Sequence, residues 1–337
     1  MQRYALNALL LVLALVIIGL SQAGAIDLYV QSVIMFMAIN VIMSSSLNLV
    51  NGNMGEFSCG HGGFMCVGAY VGSLLSMLLF TNSKLFGAAL LPPATAVFLF
   101  PIVLLGAGVV AALAGIIVAV PSFKTRGDYL AIITLAVNYI VISAIQNLDV
   151  IGGPRGLTGM RPTIAAMGDV VNLPWMMIWV LIGCFGSVFL IRRYISSTYG
   201  KGVNAVCQDE IAAEIMSVDT NRIKLVTFMI SSGLAGVAGA LYAHVVGYLN
   251  PGSFDILKST EAMVMVYLGG MGSLSGSVIS AVVFTILLEA LRPLQIYKWV
   301  IVPLILILLM QFRPEGIMGN KELSDLFPRM RKYFTFK

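Results

Sequence analysis

The sequence predicts an all-α protein, a polytopic transmembrane helical bundle of about ten spans. Three observations support this fold class. Hydrophobic residues make up 59% of the 337 residues and charged residues only 10%, whereas soluble domains carry about 25% charged residues. Apolar runs of about 18 residues or more recur along the chain, and each is long enough to cross a hydrocarbon core of about 30 Å. These runs do not alternate in polarity, so they do not indicate the strands of a transmembrane barrel.

The apolar runs give the order and the approximate bounds of the spans. In chain order, we predict spans at 4–20, 28–50, 57–81, 88–120, 129–148, 174–192, 222–249, 258–272, 274–291 and 298–312. The first run follows Arg3 and precedes Ala23-Gly24-Ala25, a pattern that imitates a cleavable signal peptide. We nevertheless expect this run to be retained as the first span.

Two of the predicted spans are irregular. The fourth is too long for one straight helix, and we expect Pro92, Pro93 and Pro101 to break it and leave a short interfacial or re-entrant piece at its start. The eighth is short and ends in the glycine-rich stretch 268–272.

The distribution of basic residues predicts the orientation. The net charge of +5 comes from short clusters at the ends of apolar runs, which is typical of cytoplasmic loops rather than of nucleic-acid binding. With Arg3 inside, ten crossings place both termini, the loop at about 193–221 and the tail 313–337 in the cytoplasm. The links 149–173 and 250–257 then lie outside. The other basic residues on the predicted cytoplasmic side are Lys124, Arg126, Arg192, Arg193, Lys201, Arg222, Lys224, Arg313, Lys321, Arg329, Arg331, Lys332 and Lys337.

Glycines at short intervals mark sites of close helix packing. In lipid, small residues allow two helix backbones to approach each other. The pattern fits packing inside this chain, and an interface with a second membrane subunit is the alternative. The glycines assigned to close packing are Gly68, Gly72, Gly233, Gly236, Gly239, Gly269 and Gly270.

The residues do not predict enzymatic chemistry. The glycine-rich segments 152–159 and 269–272 lack the Lys-Ser/Thr pair with which a phosphate loop holds phosphates and magnesium. His61 and His244 are the two histidines of the chain, and they stand far apart in the sequence. The cysteines have no CxxC spacing; they are Cys59, Cys66, Cys184 and Cys207. We therefore expect no catalytic residues, no metal, no cofactor and no nucleic-acid partner for this chain.

The loop between the sixth and seventh spans carries the most informative pattern. Asp209 and Glu210 suit the first turn of a short helix, where acidic side chains favour the positive end of the helix dipole. Apolar residues four apart, Ile211 with Ile215 and Ala212 with Met216, give this helix an apolar stripe. The pattern is open to two interpretations: a helix on a surface loop, or a helix that docks in a groove of a cytoplasmic partner.

The same loop resembles the cytoplasmic coupling region of the ABC permeases for branched-chain amino acids. That family has a D-E-x-A-A pattern, then a basic residue and a glycine-rich span, which here are 209–213, Lys224 and 232–241. Ser217 stands where the family commonly has glycine, and Asn204 and Gln208 stand where arginines are frequent. Five further stretches resemble the family in the same order, at 58–70, 128–135, 152–159, 268–276 and 312–319. Their order and the chain length are similar to the LivM-type subunit rather than to its LivH-type companion.

The resemblance implies a function and a set of partners. It implies that residues 1–337 form a single transmembrane permease domain, half of a translocation pathway in the inner membrane. The implied partners are a second, LivH-type permease subunit, two cytoplasmic ATPase subunits, an extracytoplasmic substrate-binding protein and membrane lipid. The residues expected to couple to an ATPase are Asp209, Glu210, Ala212, Ala213, Glu214 and Met216; the candidates for the pathway are Asn138, Tyr139, Gln146 and Tyr267.

The substrate and the energy source are open to alternatives. Similar subunits also serve importers of urea and short amides, and the pathway candidates do not distinguish these substrates from branched-chain amino acids. An ion-coupled secondary transporter needs ionisable groups inside the membrane. Glu56, Glu261 and Glu289 lie at the predicted ends of spans, and Glu289 has Arg292 as a neighbour. This placement favours the ATP-driven importer.

Overall fold

The computed structural model of the protein describes residues 5–82, 87–123, 129–312, 315–319 and 322. Arg3, Lys124, Arg126 and most of the predicted tail 313–337 lie outside the described residues. The α-helices run as follows: α1 Ala5–Gln22, α2 Leu28–Asn48, α3 His61–Phe80, α4 Ala96–Ser122, α5 Tyr129–Gln146, α6 Arg161–Val170, α7 Trp175–Ile195, α8 Thr198–Gln208, α9 Glu210–Ile215, α10 Thr220–Val246, α11 Ile256–Gly269, α12 Leu274–Ala290 and α13 Lys298–Phe312.

Shorter elements connect these helices. A π-helical turn, Leu49–Met54, continues α2. Strands β1, Leu157–Thr158, and β2, Tyr248–Leu249, pair antiparallel. The 3-10 turns are Pro93–Thr95, Asp149–Ile151, Gly153–Arg155, Pro251–Phe254 and Arg292–Tyr297.

Each of the ten predicted spans overlaps one of these helices. In the described part of the chain, six helices are long and apolar enough to cross a membrane, and α12 is apolar but shorter. The protein is therefore a helical protein with multiple membrane-spanning segments. The exact number of about ten crossings stays a prediction.

The prediction that prolines break the fourth span is wrong at Pro101. This residue lies inside α4, which is continuous from Ala96 to Ser122. Proline removes one backbone donor and strains the preceding turn, and here the helix continues past it. Before α4, residues 87–92 are irregular, and the N–H groups of Leu90 and Leu91 bond the carbonyls at the end of α3. The short interfacial or re-entrant piece expected at the start of this span stays a prediction.

The chain divides into two compact units that are each built from separate segments. Unit 1 comprises 1–56, 184–223 and 261–337, and unit 2 comprises 57–183 and 224–260. The prediction of a single permease domain stays a prediction.

In unit 1, α2 packs against α12. Polar side chains contribute to this contact. A buried amide group loses its hydrogen bonds to water, and a hydrogen bond to a protein partner compensates for that loss. The side-chain amide of Asn40 donates to Thr285 Oγ1 at 2.9 Å. The last residue of α2, Asn48, is bonded through its amide group to the backbone between α11 and α12.

In unit 2, glycines allow α3, α4 and α10 to approach closely. A Cβ atom at Gly68 would overlap the backbone of Gly236, and one at Gly239 would overlap the carbonyl of Met65. A Cβ at Gly72 would lie 2.7 Å from Ala240 Cβ, and one at Gly233 would lie 3.2 Å from Ala112 Cβ. These distances leave no room for a side chain, which is the packing that small residues permit in membranes.

Candidate functional site

The segment from Ser197 to Val218, which we call the coupling loop, folds into α8 and α9. Ser197 Oγ accepts a hydrogen bond from Gly200 N at 3.3 Å and so caps the start of α8. Asp209 Oδ1 accepts from Ala212 N at 3.0 Å and caps the start of α9. Side-chain oxygens at this position satisfy the free N–H groups of a first turn. The capping side chains of Ser197 and Asp209 thus mark the starts of two short helices within this loop.

Helix α9 presents an apolar surface to solvent. Ile211, Ile215 and Met216 have exposed fractions of 66%, 77% and 78%. Among the predicted coupling residues, Asp209, Glu210, Ala212, Glu214 and Met216 are exposed. Large apolar side chains grouped on a protruding element are typical of a surface that binds a partner.

One predicted coupling residue, Ala213, does not belong to this exposed surface. Ala213 is buried, with an exposed fraction of 4%. Its carbonyl accepts a hydrogen bond from Val218 N at 3.1 Å, which closes the loop after α9. Its side chain is thus part of the packing that supports α9. Ile215, which the sequence places on the apolar stripe, is among the most exposed side chains of the helix.

Ser217 has an unusual backbone conformation. Its φ angle is +63°, and it is the one non-glycine residue with a positive φ in the described part of the chain. Residues with a Cβ pay a steric penalty in this region, whereas glycine does not. This conformation gives a physical reason for the glycine that the resembling family carries at the same place. The turn nevertheless forms, because Ser217 N bonds Glu214 O at 2.9 Å.

Helix α5 carries three of the four predicted pathway residues. Its side chains at spacings of three and four form a continuous exposed seam. Of the six helices that are long enough to span a membrane, α5 has the smallest share of its membrane-spanning stretch buried in the chain, at 28%. The seam comprises Tyr129, Ile132, Ala136, Tyr139, Ser143 and Gln146.

Three of the exposed members of this seam are polar. Tyr139, Ser143 and Gln146 are exposed, and lipid offers no hydrogen-bond partners to their side chains. Tyr267, the fourth pathway candidate, belongs to unit 1 and is half-buried.

Asn138 lies on the opposite, covered side of α5. It has no exposed surface, and both its side-chain oxygen and nitrogen lack a hydrogen-bond partner among the described residues. Its oxygen is directed at Gly63, where a Cβ atom would lie 3.0 Å away. The structure therefore separates Asn138 from the exposed seam on which Tyr139 and Gln146 lie.

The sequence prediction missed the polar start of α3. His61 Nε2 lies 3.0 Å from Ser231 Oγ, and Gly62 N donates to Ser259 Oγ at 2.8 Å. All of these groups are buried. The signal that could have revealed them is the presence of serines inside predicted apolar spans, because a buried hydroxyl in a membrane protein needs a partner.

The described residues contain no metal site. They include no group of three or more His, Cys, Asp or Glu side chains that could hold a metal ion. The long apolar helices of the described residues place the chain in the class of multi-pass membrane proteins.

The comparisons with known proteins name the family. A sequence model of the family described as "Branched-chain amino acid transport system / permease component" matches residues 29–311, and the chain belongs to this family. It is 30% identical over 335 residues to the high-affinity branched-chain amino acid transport system permease protein LivM of Salmonella typhimurium, with 92% of this chain and 73% of the relative covered.

Two further relatives match the chain over different lengths. The probable branched-chain amino acid transport permease protein LivM of Methanocaldococcus jannaschii is 24% identical over 344 residues, with 91% of this chain and 97% of the relative covered. The permease protein LivH of Escherichia coli is 29% identical over 153 residues, with 44% of this chain and 48% of the relative covered. No solved structure matches the chain.

Proposed function

We propose that this chain is one of two permease subunits of an ATP-driven ABC importer for branched-chain amino acids. Membership of the permease family is the observation that carries the proposal. The printed names of the LivM relatives supply the substrate class. The partial similarity to LivH supports a second permease subunit that is homologous to this chain. Two ATPase subunits and an extracytoplasmic binding protein complete the proposed assembly.

In this proposal, α9 docks on an ATPase subunit. Ile211, Ile215 and Met216 supply the apolar contact area, and an amphipathic helix recognises a groove through such side chains. Nucleotide-driven movement of the ATPases displaces the coupling loop and switches the pathway between two access states. The chain itself needs no ATP site.

The exposed seam of α5 faces the translocation pathway. Tyr139, Ser143 and Gln146 provide hydroxyl and amide groups that bind the zwitterionic part of a passing amino acid or the water around it. The apolar residues of the seam contact the aliphatic side chain of the substrate. Asn138 is part of the closed packing in this conformation and contacts the pathway only if α5 moves away from Gly63.

The decisive experiment reconstitutes the complete complex in proteoliposomes and measures uptake of labelled leucine. We expect Ile215→Arg and Glu210→Lys to reduce uptake at least about tenfold and to weaken binding of the ATPases, because a wrong charge at an interface costs several kcal/mol. The surface position of both residues predicts changes in stability within about 0.5 kcal/mol.

Asn204→Arg is the matched control. It adds a charge to an exposed position of α8 in the same loop and should leave uptake unchanged. Normal uptake by both α9 variants with the ATPases bound would exclude α9 as the docking element. Uptake of labelled urea instead of leucine by the unaltered complex would overturn the substrate assignment.

The orientation is tested on intact cells with single cysteines and a thiol reagent that does not cross membranes. Lys201 and Ser253 are exposed. Because the distribution of basic residues predicts a cytoplasmic coupling loop, a cysteine in place of Ser253 should react and one in place of Lys201 should not. The reverse pattern would contradict the proposed topology.

A further inference from the structure

The π-helical turn Leu49–Met54 lies in unit 1 between the coupling loop and the junction of α11 with α12. On the side of the coupling loop, the thiol of Cys207 in α8 lies 3.9 Å from Gly52 O. A Cβ atom at Gly55 would lie only 2.9 Å from the same sulfur. Helix α8 therefore rests directly on the turn. Single π turns within α-helices occur frequently at functional sites.

On its other side, the turn meets the α11–α12 junction, residues 269–273. The two helices are not continuous here: Gly270 and Gly272 have φ angles of +110° and +81°, and backbone groups between the helices need partners from elsewhere. A Cβ at Gly52 would overlap Gly272 N. The turn is thus packed against the junction as closely as backbone atoms allow.

Asn48 makes the specific connection. Its Oδ1 accepts from Gly272 N at 3.0 Å, and its Nδ2 donates to Ser273 O at 2.9 Å. The residue has an exposed fraction of 1%. One side chain at the start of the π turn thus satisfies both a donor and an acceptor of the junction.

The C-terminal segment holds the junction from a second direction. Ile317 N and Met318 N donate to Leu268 O and Gly269 O at 2.8 and 3.1 Å. The carboxylate of Glu322 accepts from Leu274 N at 2.8 Å and from the hydroxyl of Ser275. A junction fixed in this way transmits a displacement to α11 and α12, because closely packed structure does not deform continuously.

We propose that Asn48 is a positioning residue for transport, which fastens the α11–α12 junction to the π turn on which α8 rests. A movement of the coupling loop then carries α11 and α12 with it. This inference rests on the proposed function, because it assumes that an ATPase moves the loop. It assigns to the side chain of Asn48 the transmission of that movement to α11 and α12.

Asn40→Ala is the matched control for Asn48→Ala. Both residues are buried asparagines of α2, but Asn40 bonds Thr285 inside α12, whereas Asn48 bonds the junction. The complete complex is reconstituted with each variant, and leucine uptake and ATP hydrolysis are measured together with the melting temperature.

We expect the complex with Asn48→Ala to hydrolyse ATP and to transport at least about tenfold less leucine per ATP. The complex with Asn40→Ala should lose similar stability and keep the wild-type ratio. Equal ratios for the two variants would overturn the proposal. A wild-type complex that does not transport leucine or bind ATPases would instead refute the proposed function.

A crosslink tests the same idea without removing Asn48. A Cβ atom at Gly55 would lie 3.7 Å from Cys207 Cβ, a separation that a disulfide allows. Gly55→Cys in a chain with alanine at the other three cysteines therefore provides a thiol for oxidation with Cys207. Because the loop and the turn move together in this proposal, a disulfide between them should leave uptake within about twofold of the reduced protein. Loss of uptake on oxidation, regained on reduction, would overturn the proposal, and so would failure of the two thiols to join.

Discussion

The α2–α12 pair of unit 1 and the α3–α10 pair of unit 2 are held together by different interactions. Between α2 and α12, buried asparagines donate to a hydroxyl or a backbone carbonyl. Between α3 and α10, glycines bring the two backbones into direct contact, as at Gly68 with Gly236. The hydrogen bonds between α2 and α12 depend on the relative orientation of donor and acceptor, and this contact tolerates some change in side-chain volume. The contact between α3 and α10 depends on the absence of a side chain.

The difference teaches how each pair responds to movement. Hydrogen bonds to backbone groups fix one element to another at a chosen point, which suits a junction that must follow a neighbouring segment. Close packing of small residues fixes two helices along their length, which suits a rigid core. We therefore expect unit 2 to lose its fold when a glycine is enlarged, and unit 1 to lose a specific connection when an asparagine is shortened.

The largest effect should come from Gly68→Val. The added side chain meets the backbone of Gly236, which cannot move aside as a flexible side chain could. Overpacking costs about 3 kcal/mol or more at such a site, so we expect little folded protein and a markedly lower melting temperature in detergent. Gly186→Val in α7 is the control, because nothing lies within 4 Å of a Cβ at that position. Equal losses for the two variants would contradict the packing argument.

An intermediate effect is expected for the Asn40–Thr285 pair. A double-mutant cycle with Asn40→Ala and Thr285→Val should give a coupling free energy of about 0.6 kcal/mol and at most about 1.7 kcal/mol, as for other hydrogen bonds between membrane helices. Thermal unfolding of the single and double variants measures this quantity. A coupling free energy of zero would mean that the Asn40–Thr285 hydrogen bond does not stabilise the α2–α12 contact, and the contrast between the two pairs would then rest on Asn48 alone.

The smallest effect, and the one with the opposite sign, is expected for Ser217→Gly. Relief of the left-handed conformation at φ +63° should increase the free energy of unfolding by about 1 kcal/mol. The greater conformational entropy of glycine in the unfolded chain reduces this gain. Protection of the coupling loop against proteolysis, compared with the wild-type chain, reports this change. The matched variant Ser217→Val should reduce protection, because a β-branched side chain is least tolerated at a positive φ. A loop that is indifferent to both changes would show that the turn carries no strain.

Hydrophobic runs, charge clusters and turn residues are local signals, and they predicted much of the fold. Each of the ten apolar runs overlaps a helix. Asp209 and Glu210, predicted for the first turn of a short helix, lie at the start of α9, where Asp209 is the capping residue and Glu210 is in the first turn. The positions of Ala213 and Asn138 could not be predicted in this way. Which side of a helix is covered depends on neighbours that are distant in the sequence.

The sequence by itself determined the membrane environment of this protein, its helical class, the order of its apolar helices and its family, since all of these follow from composition, periodicity and local motifs. Only the tertiary structure decided that α4 continues past Pro101, that Ala213 supports α9 from inside, and that Asn48 joins the α11–α12 junction. These outcomes depend on contacts between residues up to 225 positions apart. No local pattern specifies such contacts, because the free energy of a buried hydrogen bond or a close backbone contact exists only once both partners are in place.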